Sequence, residues 1–240
     1  ERGQRYDNAP YGLVNEKTAQ SLYPDGHPYS WSTIGYVEDL NRADENDLRR
    51  FFLRWYGPNN AVVTIAGDVK TQDVVKLAEK YFGPIPRGAE VKPMDKMPAK
   101  LEKTRYISYE DNIRFPQLQS TWPTVHGGHP DEAALDALAE IIGGTKGSVF
   151  YQNFVKAEKA MVANVMNPTS ELAGSFVIRI RTYNHKSLAE MDSLMMKSLT
   201  EFEKKGVTDE DLAMFKSGYE SGMINSLATV SGKASQLAMY

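Results

Sequence analysis

Apolar residues recur at helical spacing in several stretches of the chain. At 44–56, Leu48, Phe51, Phe52 and Trp55 fall at i, i+3, i+4 and i+7 and form one stripe. Asp44 stands in the N-cap position with Asp47 three residues on, the pairing that closes the first turn of a helix. At 71–82, Val74, Leu77, Ala78, Tyr81 and Phe82 share a face, and Gly83-Pro84 stops the helix. A helix is also predicted at 131–142, between Pro130 and Gly143-Gly144. Another spans 187–204, with Leu188, Met191, Met195, Leu199 and Phe202 on one face. The Met-rich patch of Met191, Met195 and Met196 reads as core filling. Thr208-Asp209-Glu210-Asp211 has the form of a capping box and opens a further helix.

Strand patterns are fewer. Residues 61–66 are nearly all apolar, as in a strand covered on both faces. Residues 103–109 and 117–122 alternate more loosely. In 175–181, Phe176, Ile178 and Ile180 face one way while Arg179 and Arg181 face the other, the pattern of a half-exposed strand. Residues 61–83 and 176–206 each run strand, short connection, amphipathic helix and glycine, a weak internal repeat. Four prolines at 84, 86, 93 and 98 mark 84–100 as a linker. The expected fold is α+β, with two related layered domains of mixed or antiparallel sheet packed with helices. The first domain occupies 1–83 and looks truncated. The second occupies 101–240 and looks incomplete at its far end.

The chain has 240 residues, 41% of them hydrophobic and 25% charged, the balance of a globular protein. A net charge of -3 argues against a nucleic-acid partner. No apolar run approaches the roughly 20 residues of a membrane-spanning helix. The absence of cysteine excludes disulfides and thiolate zinc sites. Both ends, Glu1 to Tyr6 and Ser235 to Tyr240, fall inside helical patterns, so the chain is expected to be a piece of a longer protein. No targeting segment is present, and the compartment stays open.

Several tracts, in order, resemble the pitrilysin–insulinase–mitochondrial processing peptidase family of zinc metallopeptidases. They begin with Glu1-Arg2-Gly3-Gln4, Asp7-Asn8-Ala9-Pro10-Tyr11-Gly12, Leu22-Tyr23-Pro24 and His27-Pro28-Tyr29. Ile34-Gly35, Asp39-Leu40 and the tract 55–68 follow. Asp131-Glu132-Ala133-Ala134-Leu135, Ile142-Gly143-Gly144 and Ser148-Val149-Phe150-Tyr151 complete the series. The resemblance implies a metallopeptidase half-molecule whose first domain carries an H-x-x-E-H helix. The two histidines of that motif bind zinc, and its glutamate is the general base.

This chain has His27, His126, His129 and His185, and none lies in such a motif. The resemblance puts Glu1 at the family's third metal ligand, assigns no catalytic residue here, and implies zinc in the parent but none bound to this piece. The family's substrate-gripping arginine and tyrosine would fall at Val155 and Val162, which fits the zinc-bearing half. The implied partners are a peptide substrate and a homologous second half-molecule, on the same chain or separate, that closes a chamber around unfolded peptides. Family habit favours a bacterial periplasm or envelope. The alternative is a non-catalytic structural or accessory homologue.

The residue context argues against other chemistries. His126-Gly127-Gly128-His129 reads as a surface loop, and His27-Pro28-Tyr29 as a structural loop that packs Tyr29. Gly143 to Ser148 lacks the phosphate-loop spacing and is taken as a helix end and turn.

Overall fold

The computed structural model describes residues 1–239. The α-helices, in chain order, are α1 Val14–Leu22, α2 Val37–Leu40, α3 Glu45–Trp55, α4 Thr71–Phe82, α5 Glu132–Ala139, α6 Leu188–Lys205, α7 Asp209–Ser226 and α8 Val230–Met239. The strands are β1 Gln117–Thr124, β2 Ala160–Met166 and β3 Gly174–Thr182. Wider π-helical turns occur at Gly3–Asp7, Glu140–Gly144 and Tyr151–Lys156. The chain divides into two compact units: Glu1–Tyr36 with Met94–Phe215, and Val37–Pro93 with Lys216–Tyr240. The helical end predicted at 235–240 is α8 as far as Met239, and Tyr240 lies outside the described residues.

The first unit is α+β. Its sheet has the order β1-β3-β2, antiparallel throughout, with β3 in the centre. Ile180 stands between Leu118 and Ala163, and Ile178 between Ser120 and Val165. This face is the core side: Ile178 and Ile180 are completely buried, as are Phe150 and Phe154 beside them. α6 lies against β1 and β3, and α5 against β2. Gly143 allows the turn after α5 to reach β2, because a Cβ there would lie 2.6 Å from Val165 Cγ2. Met191 and Met195 enter the core. Met196 does not, and is 53% exposed, because one residue further is about 100° further around the helix.

The capping pairs predicted at Asp44 and Thr208 form, and α6 adds a third at Ser187. Asp44 with Asp47, Ser187 with Glu190 and Thr208 with Asp211 each exchange the reciprocal pair of bonds. Gly206 ends α6 at φ 72°, its N–H donating to the Phe202 carbonyl at 2.8 Å. At two of these caps the bonds depress the carboxyl pKa. The Asp44 backbone and Arg50 lower Asp47, and Thr208 and then Lys205 lower Asp211. Glu132, which accepts from the Thr169 hydroxyl and from Gly128 N–H, is lowered as well.

A carboxylate with a depressed folded pKa stabilises the fold above its unfolded value, and that contribution is lost as pH falls through the folded value. The Glu132→Gln chain is therefore expected to lose less stability than the original as pH drops below the ordinary 4.5. Denaturant midpoints from pH 7 to pH 3 check this, and parallel curves for the two chains would disprove it.

Three expectations are corrected. Residues 61–66 are not a strand: Val62 is 79% exposed, Val63 62% and Ile65 50%. An apolar run becomes a buried strand only where another strand offers its edge, and the second unit has none among the described residues. The proposed repeat therefore has its strand only at 176–206. Residues 103–109 are likewise unpaired, with Tyr106 90% exposed. β2 escaped the pattern reading because a register shift between Ala160 and Val162 breaks its alternation.

Candidate functional site

Glu1 leads the π-helical turn Gly3–Asp7, its carbonyl accepting from Gln4 N–H at 3.1 Å and Arg5 N–H at 2.9 Å. Its side chain is 64% exposed and, among the described residues, its one ion pair is with Arg5, Oε1 lying 3.2 Å from Nε. An exposed pair of this kind holds its carboxylate weakly, so the group is free to turn toward another partner.

The neighbouring Arg2 is firmly held. Its Nη1 donates to Glu16 Oε2 at 2.9 Å and to the Gly35 carbonyl at 2.8 Å, and Nη2 donates to Glu16 Oε1 at 3.1 Å. Glu16 is buried on α1, and the Arg2 guanidinium carbon lies 5.0 Å from the Tyr36 ring centroid. The Glu16 hydrogen bond is the leading reason that the Arg2 pKa is raised. This clamp fixes the backbone from which Glu1 projects. Sequence reading missed it because the partners are 14 and 33 residues apart.

The two positions aligned with the family's grip are both aliphatic. Val155 packs against the core cluster, and Val162 sits on β2 opposite Arg181. Neither can donate a hydrogen bond to a peptide carbonyl.

The histidines are structural or peripheral. His27 is buried at 3% exposure. Its Nδ1 accepts from Tyr29 N–H at 3.0 Å, which leaves Nε2 to donate to the Met97 carbonyl at 2.8 Å. It stacks on Tyr23 with centroids 4.4 Å apart, and the Tyr29 hydroxyl accepts from Leu172 N–H. Burial, followed by the Tyr29 charge, raises the Tyr23 pKa. The loop thus ties three distant segments together. His126 and His129 lie edge to face at 5.4 Å. The nearby carboxylate, Glu132, is spent on Thr169 and Gly128. His185 stacks on Tyr183.

Among the described residues, no group of three or more histidine, cysteine, aspartate or glutamate side chains could hold a metal. A single exposed carboxylate does not fit a zinc ion by itself.

The first unit is thus an α+β domain with a clamped Glu1 turn and, among the described residues, no side-chain cluster that could hold a metal. Residues 42–219 match the family model described as the peptidase M16 inactive domain, and the chain belongs to that family. A zinc protease, PqqE, from Helicobacter pylori is 27% identical over 245 residues, covering 100% of this chain and 55% of its own length. The crystal structure of a protease from Helicobacter pylori superimposes with a TM-score of 0.88 at 25% identity, over 100% of this chain and 59% of that one. A peptidase M16 inactive domain from Pseudomonas fluorescens gives a TM-score of 0.78 at 19% identity, over 97% of this chain and 55% of that one, and supports the fold. The chain thus spans little more than half the length of these relatives.

Proposed function

We propose that this chain is part of a zinc-dependent metalloendopeptidase that cleaves unfolded peptides in a chamber closed by a second half-molecule. On this reading residues 1–83 are the C-terminal part of the zinc-bearing domain, 84–100 the linker, and 101–240 the related domain without catalytic groups. Glu1 is the third protein ligand of a zinc whose histidine ligands and general base lie on residues this chain lacks. The chain alone is inactive. The observation that carries the reading is the match to the M16 inactive domain together with a weakly held Glu1 beside the Arg2–Glu16 clamp. The aliphatic side chains at 155 and 162 support a substrate grip on the other half.

Elemental analysis tests the metal assignment. The dialysed 240-residue chain is expected to hold less than about 0.1 zinc per molecule, since one carboxylate is far from a four-ligand set. The longer protein is expected to hold about one, and its Glu1→Gln variant to lose at least about tenfold in zinc affinity. Near-equimolar zinc in the 240-residue chain, or unchanged affinity in that variant, would refute the assignment.

A further inference from the structure

The side of the sheet away from the core carries two arginines without counter-ions among the described residues. The strand register sets Arg181 between Gln117 and Val162, and Arg179 between Gln119 and Asn164. Residues two apart on a strand share a face at about 6–7 Å, so the two side chains leave the sheet side by side. Each receives one neutral acceptor. Arg179 Nε donates to Gln119 Oε1 at 3.0 Å, and Arg181 Nη2 donates to Gln117 Oε1 at 3.1 Å.

A guanidinium has five N–H groups to satisfy, and the Arg181 Nε is buried with no partner at all. Among the described residues neither arginine has a carboxylate within 4.0 Å. Burial, and then the charge of Arg181, hold the Arg179 guanidinium below its ordinary pKa. Two half-buried like charges with only amide acceptors are an arrangement that an anion would relieve.

Tyr11 is built into the same place. Its ring centroid lies 4.0 Å from the Arg181 guanidinium carbon. Its backbone has φ 62°, which a residue with a side chain adopts only when its surroundings impose it. Two bonds do so: Tyr11 N–H donates to Asp111 Oδ2 at 2.9 Å, and the hydroxyl donates to the Phe115 carbonyl at 2.6 Å. Gln119 is oriented in turn by donating to Thr18 Oγ1 at 3.0 Å. The platform, the two guanidiniums and their spacers are therefore held in position without a ligand.

We propose that the Arg179–Arg181 face binds a carboxylate of an extended peptide. The two forks grip the carboxylate, and Tyr11 backs Arg181. Arginine suits this task because its planar donors match a carboxylate in pairs. The side-chain amides of Gln117 and Asn164 on the same face offer partners to the neighbouring peptide groups. The peptide class of the ligand rests on the peptidase reading, while the anion site rests on the geometry alone. The carboxylate could come from a side chain or from a peptide C-terminus.

Binding to the 240-residue chain, measured by fluorescence anisotropy at low salt, tests the proposal. Three unstructured ten-residue peptides serve as probes. One carries two adjacent glutamates between blocked ends, one only a free C-terminal carboxylate, and one no charge. At least one carboxylate peptide is expected to bind at least about tenfold more tightly than the neutral one, and the stronger of the two names the source. R179Q/R181Q is expected to erase that difference. R181K, which keeps the charge and loses the fork, serves if the double variant does not fold, and should reduce the difference by about threefold or more.

Equal binding of all three peptides, or a preference that survives both R179Q/R181Q and R181K, would overturn the proposal. Arginine-dependent binding of inorganic phosphate without any peptide preference would overturn the peptide assignment. The readout is binding and not cleavage. Failure here therefore leaves the Glu1 assignment standing, and loss of the Glu1 assignment leaves this site standing.

Discussion

Val63→Asp will leave the stability of the 240-residue chain within about 0.5 kcal/mol of the original, yet, on the proposal that residues 1–83 end a larger domain, will cost the longer protein about 3 kcal/mol or more. Val63 is 62% exposed, between Val62 at 79% and Thr64, so a carboxylate there stays in water. The same unit exposes Leu48, Phe51, Phe52, Leu77 and Tyr81, each by more than half. A folded domain rarely leaves so many large apolar groups uncovered. If residues 1–83 are the end of a larger domain, the rest of that domain provides strands against 61–66 and covers these side chains. An Asp at 63 would then be buried without a partner. Urea midpoints of both chains, each with and without the substitution, measure the effect. A cost as small in the longer protein as in this chain would remove the argument that the first domain is completed from outside.

Phe154→Ala is expected to destabilise the first unit by about 4 kcal/mol, enough to lower its denaturation midpoint sharply. Phe154 is completely buried and lies parallel to Phe150, with ring centroids 5.3 Å apart. It sits in the turn Tyr151–Lys156 and packs with Ile178, Ile180 and Met195. A core made of one sheet face and a few helices cannot collapse into so large a cavity. Near-ultraviolet circular dichroism follows the core, and a loss below about 1 kcal/mol would show that this turn does not hold the sheet. Because Val155 is its neighbour, the experiment also tests whether the segment aligned with the substrate grip serves packing here.

Local chemistry was legible in the chain. The capping boxes at Asp44, Ser187 and Thr208 involve residues three apart, so the helix starts could be read without any tertiary information. The alternation of Phe176, Ile178 and Ile180 with Arg179 and Arg181 placed the central strand and both its faces. The order of short tracts from Glu1 to Tyr151 was enough to identify the family, and it marked Glu1, Val155 and Val162 as the positions to examine.

Long-range pairing was not legible. Residues 61–66 have the composition of a central strand, and whether they become one depends on an edge that the second unit does not offer. β2 was hidden by a single register shift. The Arg2–Glu16 clamp and the Tyr11–Arg181 stack join residues 14 and 170 positions apart, and no periodicity connects them. The sequence by itself determined the longer helices from 44 onward, the central strand, the family and the lack of a zinc motif within these 240 residues, because each depends on neighbours in the chain. The tertiary structure alone decided which apolar runs are covered, what holds Glu1, and that two arginines share a sheet face without a counter-ion among the described residues. Those outcomes depend on which distant groups meet, and on whether water or protein satisfies their charge.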